Sequence, residues 1–223
     1  MRSSSAATWQ TVHAERRQLA ADLSGLRADQ WHLPSLCPGW DVHDVLAHVV
    51  DTARTGRLSF VRDLLRARLD FDRANENGIA RYKRQDPQDT LAALEKAADL
   101  TRTPPAALAT RLVEAIVHGE DIRRPLGIVG RYPEPAILQA LAHQLRTPDS
   151  FGGGRERARG LRLIERRSGQ TWGQGDDVEA DAIDLLLAVS GRRVDRESLT
   201  GRGAARLRGA ATPTSVAGKL RHR

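Results

Sequence analysis

The chain has 223 residues, enough for one or two compact domains with a hydrophobic core. Its single cysteine excludes an intramolecular disulfide, and no apolar run approaches the roughly 20 residues that span a bilayer. The formal net charge is +7, but six basic residues and no acidic residue follow Glu197. The rest of the chain has 29 of the 35 basic residues and all 28 acidic ones, so it is nearly neutral. The net charge therefore indicates a basic tail rather than a nucleic-acid-binding surface. We expect a soluble, cytoplasmic protein without a membrane partner.

Apolar spacing predicts helices over the first two-thirds of the chain. A first helix is predicted at 7–26, and the prolines and glycine of 32–41 predict a loop. Asp41 is the predicted N-cap of a second helix that runs towards Leu69. The polar segment 70–87 is predicted to be a long connection with room for a helical turn.

Proline-containing start signals predict the next three helices. The third helix follows Asp86-Pro87, and the fourth runs from Thr103-Pro104-Pro105 to about Arg124. A shorter helix follows Pro133-Glu134-Pro135 and ends near Leu145.

The pattern changes at the glycine-rich segment 150–154, which predicts a domain boundary. Alternation of apolar and polar residues predicts a strand at 160–165, with a partner at 170–173. An amphipathic helix is predicted at 178–190, closed by Gly191. The expected domains are a helical bundle at 1–148, a small α+β domain at 155–210 and a basic tail at 211–223.

One set of side chains carries a chemical pattern. Glu114 and His118 are four residues apart on the fourth helix, so they project from one face, and Asp121 shares that face. His48 borders the apolar stripe of the second helix and meets them if both helices lie in one bundle. Two imidazoles and one carboxylate suit zinc or another first-row divalent ion, with a coordination position left open. Asp44 or Asp121 is placed to hold the free ring nitrogen of a ligand histidine.

A plainer interpretation stays open from spacing alone. Glu114 and His118 also fit a local helix-surface pair, and a histidine beside an apolar stripe is commonly a core residue. Packing is favoured over chemistry for Cys37 and Trp40. No HExxH, P-loop, GxSxG or Cys-x-x-Cys element is present. Structural roles are also favoured for the other histidines considered, which are His13, His32, His43 and His143.

The segments around these residues resemble a known family. LCPGWDVHDVLAH at 36–48 is similar to the first motif of the mycothiol-dependent maleylpyruvate isomerase family, within the DinB-like superfamily of metal-binding four-helix bundles. EAIVHGEDIRRPLG at 114–127 resembles its second motif, and 172–175 and 185–192 resemble its C-terminal domain. The resemblance implies a mainly α fold, a DinB-like four-helix bundle followed by a small α+β C-terminal domain.

By motif, the resemblance implies that zinc is held by His48, Glu114 and His118. It also implies mycothiol as the thiol cosubstrate and a small electrophile as substrate. The family's type reaction is the cis–trans isomerisation of maleylpyruvate, and relatives in the superfamily transfer low-molecular-weight thiols. Their shared step is thiol activation, since a free thiol has a pKa near 8.5 and only the thiolate attacks.

Arginines near the metal are candidates to hold substrate carboxylates. Arg192 matches the family's helix-end Gly-Arg, and Arg123 and Arg124 follow the second motif. The chain departs from the family's pattern at 165–171 and 175–178, which puts the substrate in doubt more than the metal.

Three hypotheses remain. The first is a metal-dependent, mycothiol-using isomerase or thiol transferase. The second is a non-catalytic metal- or ligand-binding bundle, such as a sensor. The third, a nucleic-acid binder with a basic tail, is disfavoured by the nearly neutral body of the chain.

Overall fold

The structure, a computed structural model, describes residues 2–208, so the predicted tail at 211–223 lies outside the described residues. Within that range the fold is mainly helical with one small sheet, as expected. No described helix is both long and apolar enough to cross a membrane. The helices are α1 (Arg2–Leu23), α2 (Val42–Arg54), α3 (Arg57–Arg66), α4 (Phe71–Tyr82), α5 (Pro87–Glu95), α6 (Thr110–Arg123), α7 (Glu134–Gln144), α8 (Ala182–Val189) and α9 (Ala204–Arg208), and the strands are β1 (Leu161–Glu165), β2 (Thr171–Gly173) and β3 (Asp176–Ala180).

The start of α2 follows the sequence prediction. The Asp41 carboxylate accepts a hydrogen bond from the Asp44 backbone N–H at 2.6 Å, and Asp44 Oδ2 accepts from the Asp41 N–H at 3.1 Å. Such a reciprocal cap stabilises a helix start by about 1 kcal/mol. The predicted run towards Leu69 is wrong, because Thr55 and Gly56 are extended and end α2 before α3 begins.

The prediction that 70–87 is a connection is also wrong, since most of it forms α4. Asp70 caps this helix by accepting from the Arg73 N–H at 3.0 Å. Gly78 lets α4 approach α2 closely: a Cβ there would lie 2.5 Å from Asp51 Oδ2. Packing against α2 therefore stabilises a helix that the polar sequence of this segment does not predict.

Segment 103–109, expected to begin the fourth helix, is irregular, and α6 starts at Thr110. The expected helix at 178–190 is helical only from Ala182. Its first residues belong to β3, whose alternating exposure shows the two-residue period of a strand.

The sheet has the order β2-β1-β3. β1 pairs antiparallel with β2 and parallel with β3, which places Leu163 opposite both Trp172 and Val178.

Two hydrophobic clusters fill the described part of the chain. One joins α1, α2 and α5 around residues such as Leu46 and Leu94, both fully buried. The other runs from α6 and α7 into the sheet and α8. This second cluster contains residues from both sides of the predicted boundary near residue 150. The division into domains at 1–148 and 155–210 stays a prediction.

Candidate metal site between two helices

One face of α6 is polar and points towards α2, and we call it the α6 front face. It comprises Arg111, Glu114, His118 and Asp121, which are spaced three or four residues apart. Arg111 is 3% exposed and Asp121 is fully buried. A buried row of charges on a helix must find partners from other elements or from a ligand.

The structure brings together the three residues that the sequence predicted. Glu114 Oε2 lies 3.5 Å from His48 Nε2 and 3.4 Å from His118 Nε2. One ligand atom from each residue lies within 4.8 Å of the others. A tetrahedral ion with bonds of about 2.1 Å has neighbouring ligand atoms about 3.4 Å apart. The two distances from Glu114 match that edge, and the third ligand pair lies within 4.8 Å, so the cluster is compact enough to hold one metal ion.

The cluster also contains polar atoms without hydrogen-bond partners in the described structure. Glu114 Oε2 and His48 Nδ1 are buried and have no hydrogen-bond partner among the described residues. The Glu114 carboxylate oxygen has only the longer ion-pair contacts to the two rings, and a cation bound between them would give it a closer partner. The donor set therefore fits a divalent metal ion.

Asp121 supports the cluster by holding the His118 ring on the side away from Glu114. Its Oδ2 accepts from His118 Nδ1 at 2.9 Å, which turns the other ring nitrogen towards Glu114. Arg192 donates to the same carboxylate from Nε at 3.0 Å and from Nη2 at 2.8 Å. A carboxylate behind a ligand histidine is the usual outer support of a metal site.

The electrostatics agree with this arrangement. Burial raises the pKa of the Asp121 carboxyl, but the charge of Arg192 and the bond from His118 outweigh burial and lower it to about 2. Burial lowers the pKa of His118, but Asp121 and Glu114 outweigh it and raise it to about 9. Without a metal the His118 ring keeps a proton at neutral pH, which a metal ion would displace.

The loop before α2 closes over the cluster. Leu36 N–H donates to the Asp121 carbonyl at 3.2 Å, which fixes the loop on α6. The Trp40 ring packs on His48 with 5.1 Å between ring centroids. Burial raises the pKa of the Cys37 thiol to about 11 although Arg192 lies 3.9 Å away. The loop thus packs on the site through Trp40, and Cys37 stays a thiol at neutral pH.

Arg123 does not join this cluster. It lies on the α6 back face, which we define as Glu120, Arg123 and Arg124. Its guanidinium is 1% exposed and donates to Asp22 Oδ2 at 2.7 Å and to Tyr132 Oη at 2.8 Å. The sequence proposed Arg123 as a substrate ligand, but the helix turns it away from His118 towards α1.

Arg124 is similarly occupied, by Glu120 and Asp184 at 2.7 Å each. Of the arginines that the sequence singled out, Arg192 alone reaches the α6 front face in the described structure.

Sequence reasoning missed Arg111. Its Nη1 donates to the Thr52 carbonyl at 3.0 Å, and its Nε is buried without a partner. Extending the spacing of Glu114 and His118 one turn upstream identifies this residue.

Comparison with known proteins supports the sequence resemblance. Residues 12–107 match the family model described as the mycothiol maleylpyruvate isomerase N-terminal domain. This match contains His48 but ends before Glu114. No curated protein matches the chain.

Two solved structures share the fold over most of the chain. A crystal structure of the mycothiol-dependent maleylpyruvate isomerase has a TM-score of 0.64 and 17% identity, covering 90% of this chain and 93% of the other. A histidine-to-alanine mutant of that enzyme has the same TM-score and coverage at 16% identity. Residues 12–107 are therefore similar to the mycothiol maleylpyruvate isomerase N-terminal domain, and the chain has the fold of the mycothiol-dependent maleylpyruvate isomerase.

Proposed function

We propose that this protein is a metal-dependent enzyme that uses mycothiol to isomerise or thiolate a small electrophile in the cytoplasm. The observation that carries the proposal is the convergence of His48, Glu114 and His118 at ligand–ligand distances of 3.4 and 3.5 Å. This cluster lies in a chain that is similar to the N-terminal domain of a mycothiol-dependent isomerase and has the fold of that enzyme.

His48, Glu114 and His118 would hold Zn²⁺ or another divalent ion, with a fourth position free for the thiol. When bound, the metal would lower the pKa of the thiol and favour the thiolate. Asp121 keeps His118 in the orientation that presents Nε2, and Arg192 keeps Asp121 ionised.

Arg192 is the candidate contact for a substrate carboxylate. Nε and Nη2 are taken by Asp121, and Nη1 donates to the Ser190 carbonyl at 2.8 Å. Nη2 also donates to Cys37 Sγ at 3.9 Å, so of the five N–H donors of the guanidinium one, on Nη1, remains for an anion. Its side chain is 15% exposed, which leaves it accessible from one side.

The chemistry follows from the thiolate. In an isomerase the thiolate would bond to one carbon of a double bond while the π electron pair moves onto the conjugated carbonyl as an enolate. The former double bond would then rotate as a C–C single bond, and return of the electron pair would re-form the double bond as the thiolate leaves. In a transferase the enolate would instead take up a proton, and the thiol would stay attached to the electrophile. The residues of the cluster serve either outcome, and the electrophile decides between them.

The direct test is an activity assay with zinc-loaded protein, mycothiol, maleylpyruvate and a panel of other electrophiles. We expect isomerisation or thiol consumption that is lost by at least about a hundredfold in His48→Ala. His143→Ala is the matched control, since His143 lies on α7 outside the cluster, and it should keep full activity.

Metal binding without isomerisation or thiol consumption would contradict the enzymatic proposal. That result would favour the non-catalytic hypothesis of a metal- or ligand-binding bundle. Arg192→Lys adds a finer test: it should raise KM for carboxylated electrophiles more than it lowers kcat.

A further inference from the structure

The helix α3 is unusual because none of its residues is buried. It is fixed to α4 from one side only. On that side Arg81 donates to Asp63 Oδ2 at 3.1 Å, and the Phe60 and Phe71 rings lie 6.4 Å apart. The opposite side has no covering element in the described part of the chain.

That outer side combines large aliphatic side chains with arginines. Leu58 is 88% exposed, Leu65 62% and Leu69 69%. Leu58, Val61 and Leu65 recur at three- and four-residue intervals and form one stripe along the helix, and the exposed Leu69 follows just past its end. We call this surface the α3 face, and it consists of Leu58, Val61, Arg62, Leu65, Arg66 and Leu69.

The end of α3 keeps two side chains where glycine is usual. Arg68 and Leu69 have φ angles of 59° and 64°, in the left-handed region. Their N–H groups close the helix by donating to the Leu65 and Leu64 carbonyls at 3.0 and 2.9 Å. The strained turn directs an arginine and a leucine outward, although glycine would close the helix without strain.

The charge of the α3 face is positive. Asp63 is the one carboxylate that contacts the arginines of α3 in the described range, and it is shared by Arg62, Arg66 and Arg81. A helix surface of exposed leucines flanked by arginines is the pattern of helices that lie on anionic membranes. The leucines enter the acyl boundary while the arginines stay at the headgroups.

We propose that the α3 face binds peripherally to an anionic phospholipid surface. A second copy of the chain fits less well, because self-pairing would bring the arginines of both copies together. A helix of ten residues is also about 15 Å long and too small for the 20–30 residues per side of a stable interface. Nucleic acid would leave the leucine stripe facing phosphates. The expectation of no membrane partner rested on bilayer-spanning runs, which do not detect such a surface.

The test is flotation of the full chain with vesicles of phosphatidylcholine alone or with added phosphatidylglycerol. We expect the wild type to float with the anionic vesicles only, and added salt to weaken this. The Leu58→Ser/Leu65→Ser variant should lose at least about tenfold in partitioning, and so should Arg62→Gln/Arg66→Gln.

A matched double variant, Val129→Ser/Arg193→Gln, changes an exposed valine and an exposed arginine elsewhere and should float like the wild type. Because the basic tail is unchanged in all variants, equal flotation of all of them would assign binding to the tail and overturn the proposal. A wild type that ignores the vesicles, or that binds duplex DNA instead, would also overturn it. Metal content identifies misfolded variants and is independent of this surface.

Discussion

The two faces of α6 are both rows of buried charge, yet they differ in how completely their bonds are made. On the α6 back face every charged group has a partner, from Arg123 with Asp22 to Arg124 with Asp184. On the α6 front face Glu114 Oε2 has ion-pair contacts of 3.4 and 3.5 Å to the two histidines but no hydrogen bond, and Arg111 Nε is buried without a partner in the described structure. Both rows have similar residue types at helical spacing.

Completed pairing is the mark of a structural network, and incomplete pairing indicates a place for a ligand. On the back face Tyr132 donates to Glu120 Oε1 at 2.8 Å and accepts from Arg123 at 2.8 Å, so one hydroxyl closes the row. On the front face Asp121 is fully paired, with His118 and Arg192, while Glu114 and Arg111 are not. The difference predicts that substitutions on the back face lower the free energy of unfolding, whereas those on the front face lower metal affinity.

The largest effect should come from replacing one buried arginine on each face. Arg123→Met leaves the buried carboxylate of Glu15 and the partly buried one of Asp22 without their cation and should cost about 3–5 kcal/mol in the free energy of unfolding. Arg111→Met breaks a bond to the Thr52 carbonyl alone and should cost about 1–2 kcal/mol. Urea denaturation of both variants measures the two costs, and equal costs would break the comparison.

Asp51, a partly buried carboxylate outside both faces, tests whether its pairing with Arg81 or its burial sets its charge. Burial raises the pKa of Asp51 from 3.8 to about 6, because Arg81 offsets it only partly. The folded state therefore holds this proton more tightly, and the stability it provides is lost as pH rises from about 4 to above 6.

Removing that carboxylate should flatten the pH dependence. In the wild type, the free energy of unfolding should fall by up to about 2–3 kcal/mol between these pH values because of Asp51, and we expect this fall to be absent in Asp51→Asn. The control Asp72→Asn, an exposed carboxylate on α4, should keep the wild-type profile. Denaturation across this range checks it, and an unchanged slope in Asp51→Asn would show that Asp51 is ionised in the fold.

A smaller effect separates the faces by metal affinity. Asp121→Asn weakens the hold on His118 and should lower metal affinity by about 10–100-fold, measured by chelator competition. Asp184→Asn, which removes a partner of Arg124 on the back face, should leave affinity unchanged. Similar affinities in the two variants would mean that Asp121 does not support the site.

Spacing along α6 predicted that Glu114 and His118 share a face, but their meeting with His48 was predicted only on the condition that both helices lie in one bundle, which the family resemblance implied. The period of a helix places Glu114 and His118 on one face whatever the details of packing. The same period places Arg123 off this face, because two residues from Asp121 a helix has turned by more than half a circle, and it argues against the substrate contact expected for this residue. Spacing could not show that Arg192, far along the chain, returns to Asp121.

The elements that escaped prediction are those decided by tertiary packing. α4 has a polar sequence and forms because Gly78 allows it to lie against Asp51. β3 was merged with α8 because Val178 fits both the two-residue and the helical period, and its pairing with Leu163 decides for the strand.

Metal content after zinc loading and desalting tests the central claim most directly. The wild type should hold about one divalent ion per chain, as should His143→Ala. His118→Ala should hold less than about a tenth of that, since two ligands bind too weakly to survive desalting. A wild type without stoichiometric metal, or a His118→Ala variant that keeps it, would contradict the assignment of His48, Glu114 and His118 as the metal site.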